Sequence, residues 1–141
     1  MAKIFVDSDV ILDLISHRDP FYNSAAHLFT MVDSGKVTAY CSPLIFSNLY
    51  YILKRQKDKE FALSSLRKLK LLLQIVTINE RIIELSLTSN FNDFEDEIQY
   101  YSARESGINY LITRNKSDYK VSDIIICSAD EFLDLQEKQN N

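Results

Sequence analysis

The chain has 141 residues, 46% of them hydrophobic and 26% charged, a globular balance that excludes disordered, collagen-like and coiled-coil classes. Two glycines and two prolines are too few for the many turns of a β-sandwich or barrel, and the net charge of -4 removes a broadly basic nucleic-acid-binding surface. The length is that of one domain, expected to span residues 1–141. Cys41 and Cys127 lie in apolar runs without CxxC or Cys/His spacing, which points away from zinc and disulfide scaffolds and toward a reducing cytoplasm. No run of about 18 uncharged apolar residues is present, and Asp7 interrupts any signal-type segment, so no membrane association is expected.

The first apolar run, residues 3–6, ends at Asp7, after which Val10, Ile11, Leu14 and Ile15 fall at helical spacing, predicting a strand that enters a helix. Asp19 followed by Pro20 reads as an N-cap with proline at the first helical position, opening a helix to Ser34 with Gly35 as its left-handed end. Residues 37–41 read as a second strand, and Ser42-Pro43 opens a third helix to about Lys54. A basic amphipathic helix at about 58–73 leads to a brief strand at 75–77, then to a helix capped by Asn79. Asp93 caps a helix ending at Gly107, before a strand at 110–112. The run at 124–127 precedes Ser128-Ala129-Asp130-Glu131, a capping box opening the last helix, with a tail expected to fray after Gln136. Short apolar strands alternating with helices imply a three-layer α/β/α domain around a mostly parallel sheet of about five strands.

In such sheets, sites form beyond the carboxyl ends of strands where strand order reverses. Asp7, Ser8 and Asp9 follow the first strand; Thr113, Arg114, Asn115 and Asp118 follow the strand at 110; Asp93, Glu95 and Asp96 begin the helix leading into it. Carboxylates gathered in one pocket repel one another unless a cation neutralises them, and a hard divalent ion suits an all-oxygen donor set. Simpler roles are open for each acid: Asp93 as an N-cap, Asp96 as its partner three residues on, Asp9 and Asp13 as helix caps or solvent-facing side chains. His17 sits near a helix end and His27 among packed neighbours, neither pointing to a ligand. Seven bases against two acids between Lys54 and Lys70 allow one basic face in an otherwise acidic chain. Gly-rich phosphate loops, Ser/His/Asp order and HExxH are absent from the sequence.

Three segments, IFVDSDVILD at 4–13, FEDEIQ at 94–99 and ITRNKSDY at 112–119, together resemble the signature segments of PIN-domain ribonucleases in order and spacing, and SADEFL at 128–133 resembles the segment that closes many of them. The resemblance covers nearly the whole chain. It implies that Asp7, Asp96 and Asp118 are catalytic and, with Asn48, hold the metal, with Ser8, Glu95, Thr113 and Asn115 in support. Asn48 stands where many members carry glutamate, which resembles a subgroup with asparagine there and leaves the site one charge short. The activity implied is hydrolysis of RNA phosphodiester bonds aided by magnesium or manganese (Mg2+ or Mn2+), with Lys54, Arg55, Lys57 and Lys59 on the RNA backbone. Small PIN proteins of this kind resemble the toxins of toxin–antitoxin pairs, which implies a cytoplasmic homodimer and an antitoxin protein as partner. Two rival readings are a non-catalytic PIN-like module for RNA or a partner protein, supported by Asn48, and a haloacid-dehalogenase-like phosphatase. The phosphatase is suggested by Asp7-Ser8-Asp9-Val10 but lacks the late acid pair, since Thr113-Arg114-Asn115 follows the strand instead.

Overall fold

Ile4, Phe5 and Val6 are all completely buried, as befits a central strand covered on both faces. They belong to β1 (Ala2–Val6), which pairs in parallel with β2 (Val37–Cys41) on one side and β4 (Tyr110–Ile112) on the other. Beyond these lie β3 (Leu73–Ile75) and β5 (Ile125–Cys127), also parallel, giving the order β3-β2-β1-β4-β5. The computed structural model describes residues 1–90, 93–121 and 123–139. Helices α1 (Ser8–Ile15), α2 (Tyr22–Asp33), α3 (Pro43–Gln56), α4 (Lys59–Leu72) and α7 (Ala129–Gln139) pack as one group, while α5 (Glu80–Leu87) packs on α6 (Phe94–Glu105) as another. The result is the expected three-layer α/β/α fold. Strand order reverses at β1, so the crevice for a site opens between the carboxyl ends of β1 and β4.

Apart from the one at Asp19, the caps read from sequence are formed, and Asp58, expected only at the start of a helix, caps it as well. Ser42 Oγ accepts from Ile45 N–H at 3.2 Å, Asp58 from Phe61 N–H at 2.7 Å and Asn79 from Ile82 N–H at 3.1 Å. Ser128 and Glu131 close their capping box reciprocally, Glu131 accepting from Ser128 N–H at 3.0 Å and Ser128 Oγ from Glu131 N–H at 3.2 Å. Gly35 and Gly107 take φ of 78° and 72°, each supplying the left-handed residue after a helix. His17 does the same after α1 with φ 48°, where its N–H reaches Leu14 C=O and Arg18 N–H reaches Asp13 C=O, a Schellman ending.

Three boundaries differ from the sequence reading. Asp19 does not cap α2: Pro20 lies inside a turn closed by Phe21 N–H on Arg18 C=O at 2.9 Å, so the helix starts at Tyr22 behind Phe21, which caps without a side-chain bond. The third strand is 73–75 rather than 75–77, because Leu73, 1% exposed, registers with Ala39 of β2 directly after α4. Helix α7 runs on to Gln139, past the point where fraying was expected. Residues 140 and 141 of that tail lie outside the described residues.

Candidate active site

Asp7 has two duties, one for each oxygen. As N-cap of α1 its Oδ1 accepts from Ser8 N–H at 2.8 Å, which turns Oδ2 toward the crevice. There Oδ2 accepts from Thr113 Oγ1 at 3.0 Å and from Tyr119 hydroxyl at 3.2 Å. The strand ends are tied together just below, Asp7 N–H donating to Ile112 C=O and Thr113 N–H to Cys127 C=O, both at 2.9 Å.

Asp96 comes to the same place from the opposite layer. Asp93 alone caps α6, accepting from Glu95 N–H at 2.8 Å and Asp96 N–H at 3.2 Å. The Asp96 carboxylate is therefore not consumed by capping; its Oδ1 accepts from Tyr119 hydroxyl at 3.3 Å. Tyr119 thus stands between the two aspartates. Asp9 belongs to the cluster as well, its Oδ2 accepting from Arg114 N–H at 3.0 Å, Asn115 Nδ2 at 3.0 Å and Thr113 Oγ1 at 3.4 Å. Asp118 ends an exposed single 3-10 turn, Lys116–Asp118, close enough for its charge to be felt by Asp7 and Asp96.

The electrostatics are those of crowded carboxylates without a counter-cation. Burial raises Asp7 above its ordinary value, opposed by the Ser8, Thr113 and Tyr119 hydrogen bonds and reinforced by Asp118. Burial, then the charge of Asp7, pushes Asp9 up to about 6. Burial, then the charges of Asp93, Asp7 and Asp118, push Asp96 up to about 7. Tyr119 is raised by burial and by its two aspartate neighbours, so its hydroxyl stays protonated and donates. Among the described residues, no lysine ammonium or arginine guanidinium forms an ion pair within 4.0 Å of the Asp7, Asp9 or Asp96 carboxylates, and the Arg114 charge is the smallest of the influences that lower Asp9.

An all-oxygen donor set with unrelieved negative charge is what a hard divalent cation requires. Yet the donors are not gathered: among the described residues, no three His, Cys, Asp or Glu side chains are grouped closely enough to hold an ion. Taking one up requires side chains to draw in: Asp118 is exposed on its turn, and the buried Tyr119 hydroxyl stands between Asp7 and Asp96. Asn48, on the half-buried side of α3, donates from Nδ2 to Glu95 Oε2 at 3.2 Å, which ties it to the first turn of α6 next to Asp96. Ser8 contributes its backbone N–H to Asp7. The basic residues Lys54, Arg55, Lys57 and Lys59 are exposed around the α3–α4 turn. Gln56 in that segment accepts from Ser16 at the far end of α1, about 12 Å of helix from the Asp7 cap.

Comparison with known proteins places the chain. The model of the PIN domain matches residues 3–117. The chain belongs to the PIN-domain family. Ribonuclease VapC1 of Aquifex aeolicus (strain VF5) is 27% identical to it over 137 residues, covering 94% of each chain. Among solved structures, DNA-bound VapBC from Salmonella typhimurium matches with TM-score 0.70 and 14% identity, over 92% of this chain and 99% of that one. VapC20 from Mycobacterium tuberculosis, a sarcin-ricin-loop-cleaving toxin, matches with TM-score 0.65 and 15% identity, over 86% and 98%. At these identities the solved structures establish a shared fold. PIN membership removes the phosphatase reading of Asp7-Ser8-Asp9-Val10.

Sequence reasoning leaves unassigned two participants of this cluster, Asp9 and Tyr119, and one residue behind it, Asp13. Asp9 was open between cap and site. Tyr119 carried no expectation, although an aromatic hydroxyl directly after Asp118 was its signal. Asp13 was a charge between Leu12 and Leu14, a pattern that calls for a buried partner; the partner is Arg114.

Proposed function

We propose that this chain is a divalent-metal-dependent endoribonuclease and the toxin of a toxin–antitoxin pair. The observation that carries the reading is the convergence of Asp7, Asp9 and Asp96 around the Thr113 and Tyr119 hydroxyls, at the strand-order reversal of a PIN fold. Asp7 and Asp96, joined by Asp118 and by the Asn48 carbonyl oxygen, would hold Mg2+ or Mn2+. Such an ion supplies Lewis acidity, offsetting negative charge on the phosphate oxygens and easing deprotonation of water.

The chain's own residues do the rest. Thr113 and Tyr119 orient the carboxylate oxygens by hydrogen bonding. Asn115 holds Asp9 from the side of the β4 turn, and Glu95 fixes Asn48. Asp9 and Asp96, raised to about 6 and about 7, retain part of their protons near neutral pH, and a bound cation would favour their ionised forms. Lys54, Arg55, Lys57 and Lys59 bind RNA phosphates at a distance from the reacting bond, giving affinity without sequence preference. No described helix is long and apolar enough to cross a membrane, which suits a cytoplasmic enzyme.

The ribonuclease assignment is supported by the relative named a ribonuclease. An antitoxin partner is supported by the VapBC and toxin–antitoxin assemblies among the structural neighbours, and a homodimer belongs to the same proposal. The test is cleavage of single-stranded RNA by purified protein. Fragments should appear with Mn2+ and vanish with EDTA. A second reading, the non-catalytic PIN-like module, is favoured by the neutral Asn48 bonded to Glu95, and metal binding without cleavage would select it.

A further inference from the structure

Arg114 is fastened to α1 at two points. Its backbone N–H donates to Asp9 Oδ2 at 3.0 Å. Its guanidinium grips Asp13 in a bidentate pair, Nε to Oδ2 at 2.8 Å and Nη2 to Oδ1 at 3.1 Å. Asp13 follows Asp9 by four residues, so both project from one face of the helix, a turn apart. Asp13 is only 1% exposed, and a buried carboxylate stripped of its partner is strongly unfavourable, so the pair is a durable anchor. The Phe21 ring lies 4.0 Å from the guanidinium carbon and covers it. The neighbours of Arg114 in the chain, Thr113 and Asn115, are the other two donors to Asp9 Oδ2. The sheet itself is closed by other bonds, Asp7 N–H to Ile112 C=O and Thr113 N–H to Cys127 C=O.

We propose that Arg114, anchored on Asp13, is a positioning residue that fixes the β4 turn against α1 and so sets the Asp9 carboxylate beside Asp7 in the orientation from which the cluster accepts a divalent cation. The guanidinium does not touch the cluster; it acts through the three donors that the turn presents to Asp9. Its last clause rests on the metal-dependent reading above, while the anchoring itself does not.

The test uses the full chain with Asp13→Asn and Arg114→Lys. Asp13→Asn removes the charge that holds the fork, and Arg114→Lys keeps the charge but loses the bidentate geometry. Two quantities are read: amide hydrogen exchange in metal-free protein, and Mn2+ affinity from the electron paramagnetic resonance signal of the free ion. In Asp13→Asn the residue-114 amide should exchange faster while the strand amides of Phe5 and Leu111 stay protected. Its Mn2+ affinity should fall roughly tenfold, the usual effect of losing an outer-shell support, with Arg114→Lys intermediate. Unchanged residue-114 exchange in a folded variant overturns the anchor, and so does exchange accelerated throughout the sheet, which marks a merely structural pair. Local loosening with unchanged Mn2+ affinity overturns the positioning role. If Asp13→Asn does not fold, Arg114→Lys decides by the same two criteria. Wild-type protein that binds no Mn2+ refutes the metal-site reading instead, and the exchange data still judge the anchor.

Discussion

Replacing Asp7 by asparagine separates the chemistry of the site from its effect on the fold. The substitution keeps the shape and can keep the hydrogen bonds. Its amide oxygen still accepts from Ser8 N–H, its NH2 faces the hydroxyls of Thr113 and Tyr119, and these turn to donate to Asp9 and Asp96, already 3.4 and 3.3 Å away. What disappears is a negative charge beside Asp9 and Asp96. Asp9 moves from an ordinary 3.8 to about 6, a change equal to roughly 3 kcal/mol for a dry site. Burial is its leading cause and Asp7 the second, and solvent reaches Asp9, so about 1 kcal/mol falls to Asp7.

Both carboxyls are raised in the folded state, so their favourable contribution is intact below about pH 4 and is lost as pH climbs through about 6 and 7; stability falls over that window because the unfolded chain has already released its protons. Metal-free Asp7→Asn should therefore be about 1 kcal/mol more stable than wild type at pH 8, with the gap closing toward pH 4 in urea melts. Its RNA cleavage should drop by at least about a hundredfold, since the removed group would hold the cation. A variant destabilised at pH 8, or one that still cleaves at equal Mn2+, would refute the argument.

Other substitutions probe separate parts of the molecule. Asn48→Glu should tighten Mn2+ binding in the absence of RNA by restoring a carboxylate next to Asp96, and unchanged or weaker affinity in calorimetry would place position 48 outside the site. Changing Lys54, Arg55, Lys57 and Lys59 together to glutamine should weaken RNA binding and flatten its dependence on salt; an unchanged slope would mean that RNA does not reach the α3–α4 turn. Asp93→Ala should cost about 1 kcal/mol through the lost α6 cap, measured by thermal melting. Phe132→Ala, removing a fully buried ring stacked edge-on against Tyr110, should cost about 3–5 kcal/mol in the same measurement.

Much of the architecture was legible because the local signals agree with the tertiary solution. Continuous apolar runs mark strands buried on both faces, and caps such as Ser42, Asn79 and Ser128 mark helix starts through bonds made within a few residues. Where the outcome depends on distant partners, local signals mislead. Pro20 favours a first helical turn until the turn from Arg18 to Phe21 takes it up, and Leu73 continues the α4 pattern until Ala39 of β2 pairs with it. The site divides the same way. The positions of Asp7, Asp96 and Thr113 follow from strand ends and motif spacing. The roles of Asp9, Asp13 and Tyr119 arise from contacts between residues more than 20 positions apart, such as Tyr119 with Asp96 and Arg114 with Asp13, and periodicity carries no trace of those.

Whether a divalent cation settles between Asp7 and Asp96 decides the chemistry of this cluster. Crystals grown without metal and then soaked in Mn2+ would reveal this by anomalous scattering. A single strong peak within coordination distance of both carboxylates, with the Tyr119 hydroxyl withdrawn from between them, is the expected result. A peak confined to other acidic groups, or none at millimolar Mn2+ with the Tyr119 bridge intact, would contradict it.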